Sequence, residues 1–272
     1  MERLNNIKIA FIDIDGTLTN SKKEITNTTI EAVKKLTSKG IYVVLCSGRT
    51  NSYVCKFSKV ASASHYVIAC NGAEIYDYKN KKNIYSNKLS LKDVTALWNY
   101  CKERNIECNI NTEYERYTNK ESAQGKVLIN DIKEIENIDV FQVVAGHKSL
   151  EVMDEMKKYI TLSPTLKIAN ASSIYLKRLL EGNGYFFDIT NKDVSKGTAI
   201  EKVLKHLNIS KENSIGFGDH INDYDLFNAV GFKVAMGNAN EKLKEKADYV
   251  TLTNDENGVA DFINKYLLED IN

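Results

Sequence analysis

The stretch IAFIDIDGTLTN, residues 9–20, decides the fold. The nearly continuous apolar run over residues 7–12 predicts a strand that is covered on both faces. Two aspartates, Asp13 and Asp15, follow it at once, and in an extended chain their carboxylates point the same way, roughly 6–7 Å apart. At an effective dielectric constant of about 20 they repel each other by roughly 2–3 kcal/mol. A cation, a shared proton or exposure in a loop must offset this repulsion.

The neighbouring sequence predicts where the acidic pair lies. Apolar runs at 41–46 and 65–70 predict two more buried strands, each preceded by helix-compatible sequence, and this alternation is typical of parallel strands with right-handed crossovers. Ligands of such sheets bind beyond the carboxyl ends of the strands. Gly16 allows a sharp turn there, and carboxylate oxygens suit Mg²⁺. Taken alone, the DxDG pattern would also fit an ordinary turn or a helix cap.

The middle of the chain follows a different pattern. Residues 74–86 indicate a hairpin, residues 90–105 a helix, and short alternating strands continue to residue 189 before strand–helix alternation returns. We expect Trp98 to lie on a partly exposed face of its helix. The pattern predicts an α/β fold with a Rossmann-like, doubly wound, mostly parallel core and an inserted α+β domain. The predicted division is a core of residues 1–82 and 186–272 and an insert of residues 83–185.

A second acidic cluster lies in GFGDHINDYD, residues 216–225, again just after an apolar run. Asp219 and Asp223 are four positions apart, so one helical turn would bring both to the same side, with Asn222 between them. Aspartate and asparagine also favour helix starts, and both interpretations can hold together.

Two further segments suit an anion. CSGRT, residues 46–50, offers the Ser47 hydroxyl, Gly48 and backbone N–H groups at a predicted helix start, which is a natural phosphate site. Lys196 stands at another predicted helix start, where the helix dipole disfavours a cation unless an anionic ligand is bound nearby. Together with the acidic residues, these groups suit a Mg²⁺ ion beside a phosphate that a carboxylate can attack.

The composition narrows the class of protein. The 272 residues carry a formal net charge of +1 with 43% hydrophobic residues, so the chain can bury a core and has no basic stripe for nucleic acid. No apolar run approaches the roughly 20 residues that a membrane span needs. The five cysteines are odd in number and form no CxxC pair, which favours reduced thiols and a cytoplasmic protein.

The order DIDGT, SGR, SKG and GDxxND resembles the haloacid dehalogenase superfamily of phosphotransferases. The insert and VAMGNA at 234–239 resemble its Cof-type branch, the type IIB sugar-phosphatase-like proteins with a C2-type cap. The resemblance implies that Asp13 is the nucleophile that becomes an aspartyl-phosphate and a Mg²⁺ ligand. It implies that Asp15 is the general acid and base, which also binds the metal through its backbone carbonyl. Asp13 must then be ionised while Asp15 holds a proton, which requires environments that push their pKa values apart.

The resemblance assigns further residues by position. Asp219 is implied as the third protein ligand of Mg²⁺, and the insert as the cap that selects the substrate. Phosphoryl oxygens would be held by the following residues: Ser47, Gly48, Lys196 and Asn222. Asp223 and Thr17 would support this site.

Several side chains leave alternatives open. Arg49 could orient the phosphate ester or pair with a surface carboxylate, and Asn71-Gly72 could line the site or only turn into the hairpin. His220 replaces a smaller or uncharged residue of the motif, and solvent exposure is favoured over metal binding. The insert also carries aromatic residues that could face a substrate but more often pack a small core: Tyr114, Tyr117 and Tyr185.

These observations predict a Mg²⁺-dependent phosphatase of small phosphorylated metabolites, such as sugar phosphates or phosphorylated cofactors. The alternatives are a phosphomutase, which returns the phosphoryl group to a bound sugar, and a phosphosugar-binding sensor without catalysis. A sensor should lack part of the acidic and lysine constellation, and this chain has all of it. The sequence predicts no oligomeric state.

Overall fold

The computed structural model describes residues 4–121, 126–172 and 184–268. The chain divides into two compact units. The first consists of Met1–Tyr85 and Ser195–Asn272, and the second of Ser86–Val194.

The first unit contains strand–helix alternation at both ends of the chain. Its N-terminal segment contains β1 (Ile9–Asp13), α1 (Asn27–Ser38), β2 (Tyr42–Cys46), α2 (Asn51–Val60), β3 (Tyr66–Ala69), β4 (Glu74–Asp77) and β5 (Lys82–Ser86). The middle segment, mostly the second unit, contains α3 (Leu91–Glu103), β6 (Glu107–Thr112), β7 (Arg116–Thr118), β8 (Val127–Leu128), β9 (Val140–His147), α4 (Leu150–Thr161), β10 (Leu166–Ser172) and β11 (Tyr185–Asn191). The C-terminal segment returns to the first unit with α5 (Lys196–Leu207), β12 (Ser214–Gly218), α6 (Tyr224–Ala229), β13 (Phe232–Ala235), α7 (Glu241–Lys244), β14 (Tyr249–Val250) and α8 (Gly258–Ile263).

The first unit is built on an eight-stranded sheet of order β14-β13-β12-β1-β2-β3-β4-β5. The strands from β14 to β3 are parallel, and β4 runs antiparallel to β3. Strand β1 is central and buried along its whole length, with Phe11 opposite Val44 of β2 and Gly216 of β12. This placement explains the continuous apolar run, because a central parallel strand is covered by other elements on both faces.

The register brings several strand ends to one edge of this sheet. Asp13 ends β1 and pairs with Cys46, the last residue of β2, so Ser47 follows at the same level. Strand β12 ends at Gly218, and Asp219 is the next residue. Helix α5 begins nearby, since Gly72, which follows β3, packs against the Ser195 backbone. The carboxyl edge therefore gathers polar residues from both ends of the chain.

The second unit contains a six-stranded sheet of order β10-β11-β9-β6-β7-β8, antiparallel except for the β7–β8 pair. Helix α3 contacts strands β6 and β9, and helix α4 contacts β9, β10 and β11. Because β11 pairs with β9 and β10, the second unit extends to Val194, beyond residue 185 where the sequence pattern ends the insert. Tyr117 and Tyr185 pack against the core of this unit, whereas Tyr114 is 74% exposed.

The prediction that Trp98 is partly exposed was wrong. Its side chain is only 2% exposed and belongs to the core of the second unit. The reason is helical spacing: Trp98 follows Val94 by four positions and precedes Cys101 by three, so all three lie on one face of α3.

Within the described residues, no helix combines the length and apolar character that crossing a membrane would require.

Candidate active site

Three carboxylates from distant parts of the sequence meet at the carboxyl edge of the first unit's sheet. One carboxylate oxygen from each of Asp13, Asp219 and Asp223 lies within 4.8 Å of the others. Asp13 comes from β1, and the other two come from the loop and short helical turn after β12. The sequence pattern placed these residues at two strand ends, and the parallel topology brings those ends together.

Lys196 balances part of this negative charge. Its Nζ donates to Oδ1 of Asp13 at 2.5 Å and to Oδ1 of Asp223 at 2.7 Å, and all three side chains are buried. Burial lowers the pKa of Lys196, but Asp13 and Asp223 outweigh this effect and raise it above its usual value. The lysine is therefore a fixed cation at the first residue of α5, where Ser195 caps the helix.

Asp219 lies beside Asp13 and is held by its own contacts. Its Oδ1 accepts a hydrogen bond from Oγ1 of Thr17 at 2.8 Å. Its Oδ2 lies against Gly16, whose φ is +90°, and a Cβ at that position would come within 2.5 Å of the oxygen. Burial, and next the Asp223 charge, raise the pKa of Asp219 to about 7. Gly16 is therefore needed in the DGT turn for two reasons: its backbone has a positive φ, and a side chain at this position would collide with the Asp219 carboxylate.

Asp223 organises the loop after β12. Its Oδ1 accepts from Lys196, and its Oδ2 accepts from the backbone N–H groups of Asp219 and His220, both at 3.1 Å. Asn222 and His220 are half-buried. Among the residues that the structure describes, the acidic cluster consists of Asp13, Asp219 and Asp223 and does not include His220. Asp223 thus links two parts of the site. One of its oxygens holds the loop that contains Asp219, and the other contacts Lys196, which also contacts Asp13.

The donor set fits a hard divalent cation. Three carboxylates face one ammonium group, and burial together with Asp223 and Asp219 raises the pKa of Asp13 despite the nearby lysine. Within the described residues, Oδ2 of Asp13 and Oδ2 of Asp219 accept no hydrogen bond. A divalent cation would remove the excess negative charge and use these oxygens. Asp13 and Asp219 would therefore hold it, with Asp223 behind them.

Asp15 lies outside this cluster and binds two cations of its own. Nε and Nη2 of Arg49 donate to its two carboxylate oxygens at 3.0 and 2.9 Å, and Nζ of Lys23 lies 3.5 Å from Oδ1. Burial raises the pKa of Asp15, but the hydrogen bonds and charges of Arg49 and Lys23 outweigh this effect and lower it. Arg49 therefore pairs with a carboxylate, that of Asp15, which lies two residues beyond the end of β1.

The expected separation of pKa values is reversed in this structure. The roles that the resemblance implies require an ionised Asp13 and a protonated Asp15, whereas the pKa of Asp13 is raised and that of Asp15 is lowered. The physical cause is the distribution of cations: Asp15 contacts two, while Asp13 shares one lysine with other carboxylates. A cation at the acidic cluster and an anion beside Asp15 would each shift these values back.

The segment after β2 lies against the turn after β3. Ser47 is buried, its Oγ accepts from the Arg49 N–H at 3.2 Å, and its carbonyl accepts from the Asn71 N–H at 3.0 Å. Gly72, with a φ of +104°, lies so close to Ser195 that a Cβ would be 2.1 Å from the Ser195 carbonyl oxygen. Asn71 and Gly72 thus connect the predicted phosphate loop, which also contains the half-buried Gly48, to the start of α5.

Two contributors were not among the predicted site residues. Nδ2 of Asn238 donates to the Gly16 carbonyl at 2.9 Å, and Oδ1 of Asn238 accepts from the Asn254 N–H. Asn238 lies in VAMGNA, so the motif itself was a signal for it. Lys23 lies in a polar loop with several lysines and asparagines, and nothing in the sequence distinguishes it from its neighbours.

Comparison with known proteins shows the family of this chain. Residues 10–263 match the family model of haloacid dehalogenase-like hydrolases. A 5-amino-6-(5-phospho-D-ribitylamino)uracil phosphatase of Bacillus subtilis is 29% identical over 97% of each chain. A phosphoglycolate phosphatase of Methanobrevibacter smithii is 27% identical over 97% of this chain and all of its own. The crystal structure of a haloacid dehalogenase-like hydrolase from Bacteroides thetaiotaomicron superimposes with a TM-score of 0.85 at 25% identity, covering 95% of this chain and 99% of that one.

The fold and the acidic site thus define a hydrolase built on an α/β sheet. The chain belongs to the haloacid dehalogenase-like hydrolase family, as the resemblance in its motifs predicted. The relatives named above are phosphatases.

Proposed function

We propose that this enzyme is a Mg²⁺-dependent phosphatase that hydrolyses small phosphate monoesters through an aspartyl-phosphate on Asp13. The observation that carries this proposal is the contact of Lys196 with Asp13 inside a buried cluster of three carboxylates. Such a cluster is costly to bury unless a cation completes it, and hard oxygen ligands suit Mg²⁺.

The reaction takes two displacements at phosphorus. An oxygen of Asp13 attacks the phosphorus, and the bond to the leaving oxygen breaks while Asp15 gives that oxygen a proton. Water then attacks the phosphorus of the aspartyl-phosphate, Asp15 takes a proton from this water, and phosphate leaves Asp13. The proton that Asp15 loses with the leaving alcohol in the first step is replaced by one from water in the second, so the enzyme ends as it began.

The surrounding residues hold the reacting groups. Lys196 contacts Asp13 and would offset negative charge on the phosphoryl oxygens. In this proposal those oxygens are bound by Ser47, Gly48 and Asn222. A bound Mg²⁺ supplies positive charge that allows an ionised carboxylate and a phosphate dianion to approach each other. The phosphoryl group, as an anion beside Asp15, would raise the pKa of that carboxyl toward the protonated form.

In this proposal the inserted domain, predicted from the sequence as residues 83–185, selects the substrate. It acts as a cap of the type found in the type IIB branch. The related phosphatases carry different substrates in their names, a phosphoribitylaminouracil and phosphoglycolate, which supports a common chemistry with variable specificity. Exchange of the insert with that of a relative should change the ranking of substrates and leave the requirement for Asp13 unchanged.

The experiment that tests this function is a phosphate-release screen over a broad panel of monoesters. It is run with Mg²⁺ and with EDTA, and the Asp13→Ala variant serves as the blank. We expect Mg²⁺-dependent phosphate release that the variant lacks. Conversion of a sugar phosphate to its isomer without phosphate release would instead indicate a phosphomutase, and inactivity on all esters would contradict the proposal.

A further inference from the structure

The Arg49 side chain holds Asp15 at two points. Nε of Arg49 donates to Oδ2 of Asp15 at 3.0 Å, and Nη2 donates to Oδ1 at 2.9 Å. A planar guanidinium that contacts both oxygens fixes the plane of the carboxylate as well as its position, which a single-point contact does not.

Arg49 is itself fixed at both ends. Its guanidinium lies 5.0 Å from the centre of the Tyr53 ring, and Tyr53 stacks on Phe57 one turn further along α2. Its backbone N–H donates to Oγ of Ser47, and its carbonyl accepts from the Cys70 N–H at 2.8 Å. The same residue therefore belongs to the predicted phosphate loop through its backbone and reaches the predicted acid through its side chain.

This ion pair contributes little to the stability of the fold. The side chains of Arg49 and Asp15 are 38% and 35% exposed. Solvent-exposed pairs of this kind contribute at most about 1 kcal/mol to folding. Loss of the pair should therefore be visible in catalysis rather than in unfolding.

The contacts also distinguish the two oxygens of Asp15. Oδ1 accepts from Arg49 and lies 3.5 Å from Nζ of Lys23, whereas Oδ2 contacts Arg49 alone among the described residues. A carboxylate oxygen has two lone pairs, so Oδ2 keeps one for a proton while Arg49 uses the other.

We propose that Arg49 is the positioning residue of the general acid: its guanidinium holds Asp15 so that Oδ2 carries the proton to the leaving oxygen and later accepts one from water. The inference rests on the proposed phosphatase function. During the first displacement the Oδ2–H bond breaks, a bond from that proton to the leaving oxygen forms, and the bond from this oxygen to phosphorus breaks. Arg49 keeps its proton throughout and does not touch the substrate.

The test compares two kinds of leaving group. An alkyl phosphate that the screen shows to be a substrate needs protonation of its leaving oxygen, whereas p-nitrophenyl phosphate leaves as a stabilised anion. The ratio kcat/KM reports events up to formation of the phosphoenzyme, so it isolates the first displacement. For Arg49→Met we expect kcat/KM to fall about 100-fold with the alkyl ester, within the range of general acid catalysis, and by less than about threefold with p-nitrophenyl phosphate.

Further variants make the comparison specific. Asp15→Asn should show the same dependence on the leaving group, and Arg49→Met added to Asp15→Asn should cause no further loss, because both act through one group. Arg49→Lys keeps the charge without the two-point contact and should fall between wild type and Arg49→Met, and it replaces that variant should Arg49→Met not fold. Arg104→Met is the matched control, since Arg104 also contacts a carboxylate, Glu103, and a tyrosine ring, Tyr100, but follows the last residue of α3 in the second unit.

Several results would overturn the inference. An equal loss of kcat/KM with both esters would mean that Arg49 binds the transferred phosphoryl group, and a gain with the alkyl ester would mean that it restrains Asp15. A further loss when Arg49→Met is added to Asp15→Asn would separate the two residues. If the wild-type protein hydrolysed neither ester nor any other, the proposed function would fail and this inference with it; in the other three cases the proposed function would stand.

Discussion

Lys196 and Asp13 are 183 positions apart in the chain, and Nζ of the lysine lies 2.5 Å from Oδ1 of the aspartate. The whole inserted domain separates them in sequence, so the site exists only when both ends of the chain form one sheet. The same lysine also contacts Asp223. Changes to these charged residues should therefore affect both the free energy of unfolding and the rate of phosphate release.

The first prediction concerns removal of the buried cation. Lys196→Met should destabilise the fold by about 3–5 kcal/mol at pH 8, because it leaves buried carboxylates without a compensating charge. The loss should be smaller at pH 5, where Asp13 and Asp219, whose pKa values are raised, can hold protons. Urea unfolding at the two pH values measures this difference, with Lys205→Met on the exposed face of the same helix as the control. A loss independent of pH would mean that packing rather than charge explains the effect.

The second prediction concerns Asp219 in the metal-free protein. Its pKa is raised from 3.8 to about 7, so the folded state binds more protons than the unfolded state between these values. The free energy of unfolding should therefore fall as the pH rises from about 4 to about 7. Asp219→Asn removes this effect and should stabilise the metal-free protein at pH 8 by about 2 kcal/mol, less than the full pKa difference implies because Asp219 is partly exposed.

The same variant tests the metal site without an activity assay. Mg²⁺ should raise the Tm of the wild-type protein more at pH 8 than at pH 6, because binding must displace a proton from Asp219 at the lower pH. Asp219→Asn should lose most of this Mg²⁺-dependent shift. An undiminished shift in the variant would place the metal elsewhere.

The third prediction uses two glycines with left-handed backbones. Gly72→Ala would place a Cβ 2.1 Å from the Ser195 carbonyl, whereas Gly40 has a similar φ of +83° and nothing within 4 Å of the added atom. Gly40→Ala should therefore cost only the backbone strain, about 1 kcal/mol. Gly72→Ala should cost at least about 3 kcal/mol and also lower kcat, since it displaces the start of the helix that carries Lys196. Equal effects in unfolding experiments would show that the close approach is readily relieved.

The fold and the acidic residues were readable from the sequence because both follow from periodicity. The apolar run before Asp13 and the one before Asp219 each predict a buried strand, and parallel strands end at one edge. The two aspartates were therefore expected to meet, although no local pattern joins them. The prediction for Trp98 was wrong because residues three and four positions apart both lie on the same face of a helix, and Trp98 is four positions from Val94 and three from Cys101.

The cations around the site could not be read in the same way. Lys23 and Arg49 contact Asp15 only because a loop and a helix start fold toward it, and long flexible side chains carry no periodic signal. The pKa values of Asp13 and Asp15 depend on those contacts, so their directions could not be derived from residue types. Which side chains contact each other across loops depends on the tertiary structure, and no local sequence pattern encodes it.

The fourth prediction concerns Asp13, the proposed nucleophile. Asp13→Asn should lower phosphate release by at least about 10⁴-fold, because an amide cannot attack phosphorus. The fold should be retained, since the change removes one of three mutually repelling carboxylates and leaves Lys196 its bond to Asp223. Circular dichroism and Tm verify the fold. Turnover at the wild-type rate would remove Asp13 from this role.

The central claim is that the phosphoryl group passes through Asp13, and the stereochemistry at phosphorus tests it most directly. A phosphate ester made chiral at phosphorus with three oxygen isotopes donates its phosphoryl group to an added alcohol, and the configuration of the product ester is determined. Two successive in-line displacements each invert phosphorus, so the account predicts overall retention. Inversion would mean that the acceptor attacks the substrate directly in a single displacement, and the account would be wrong.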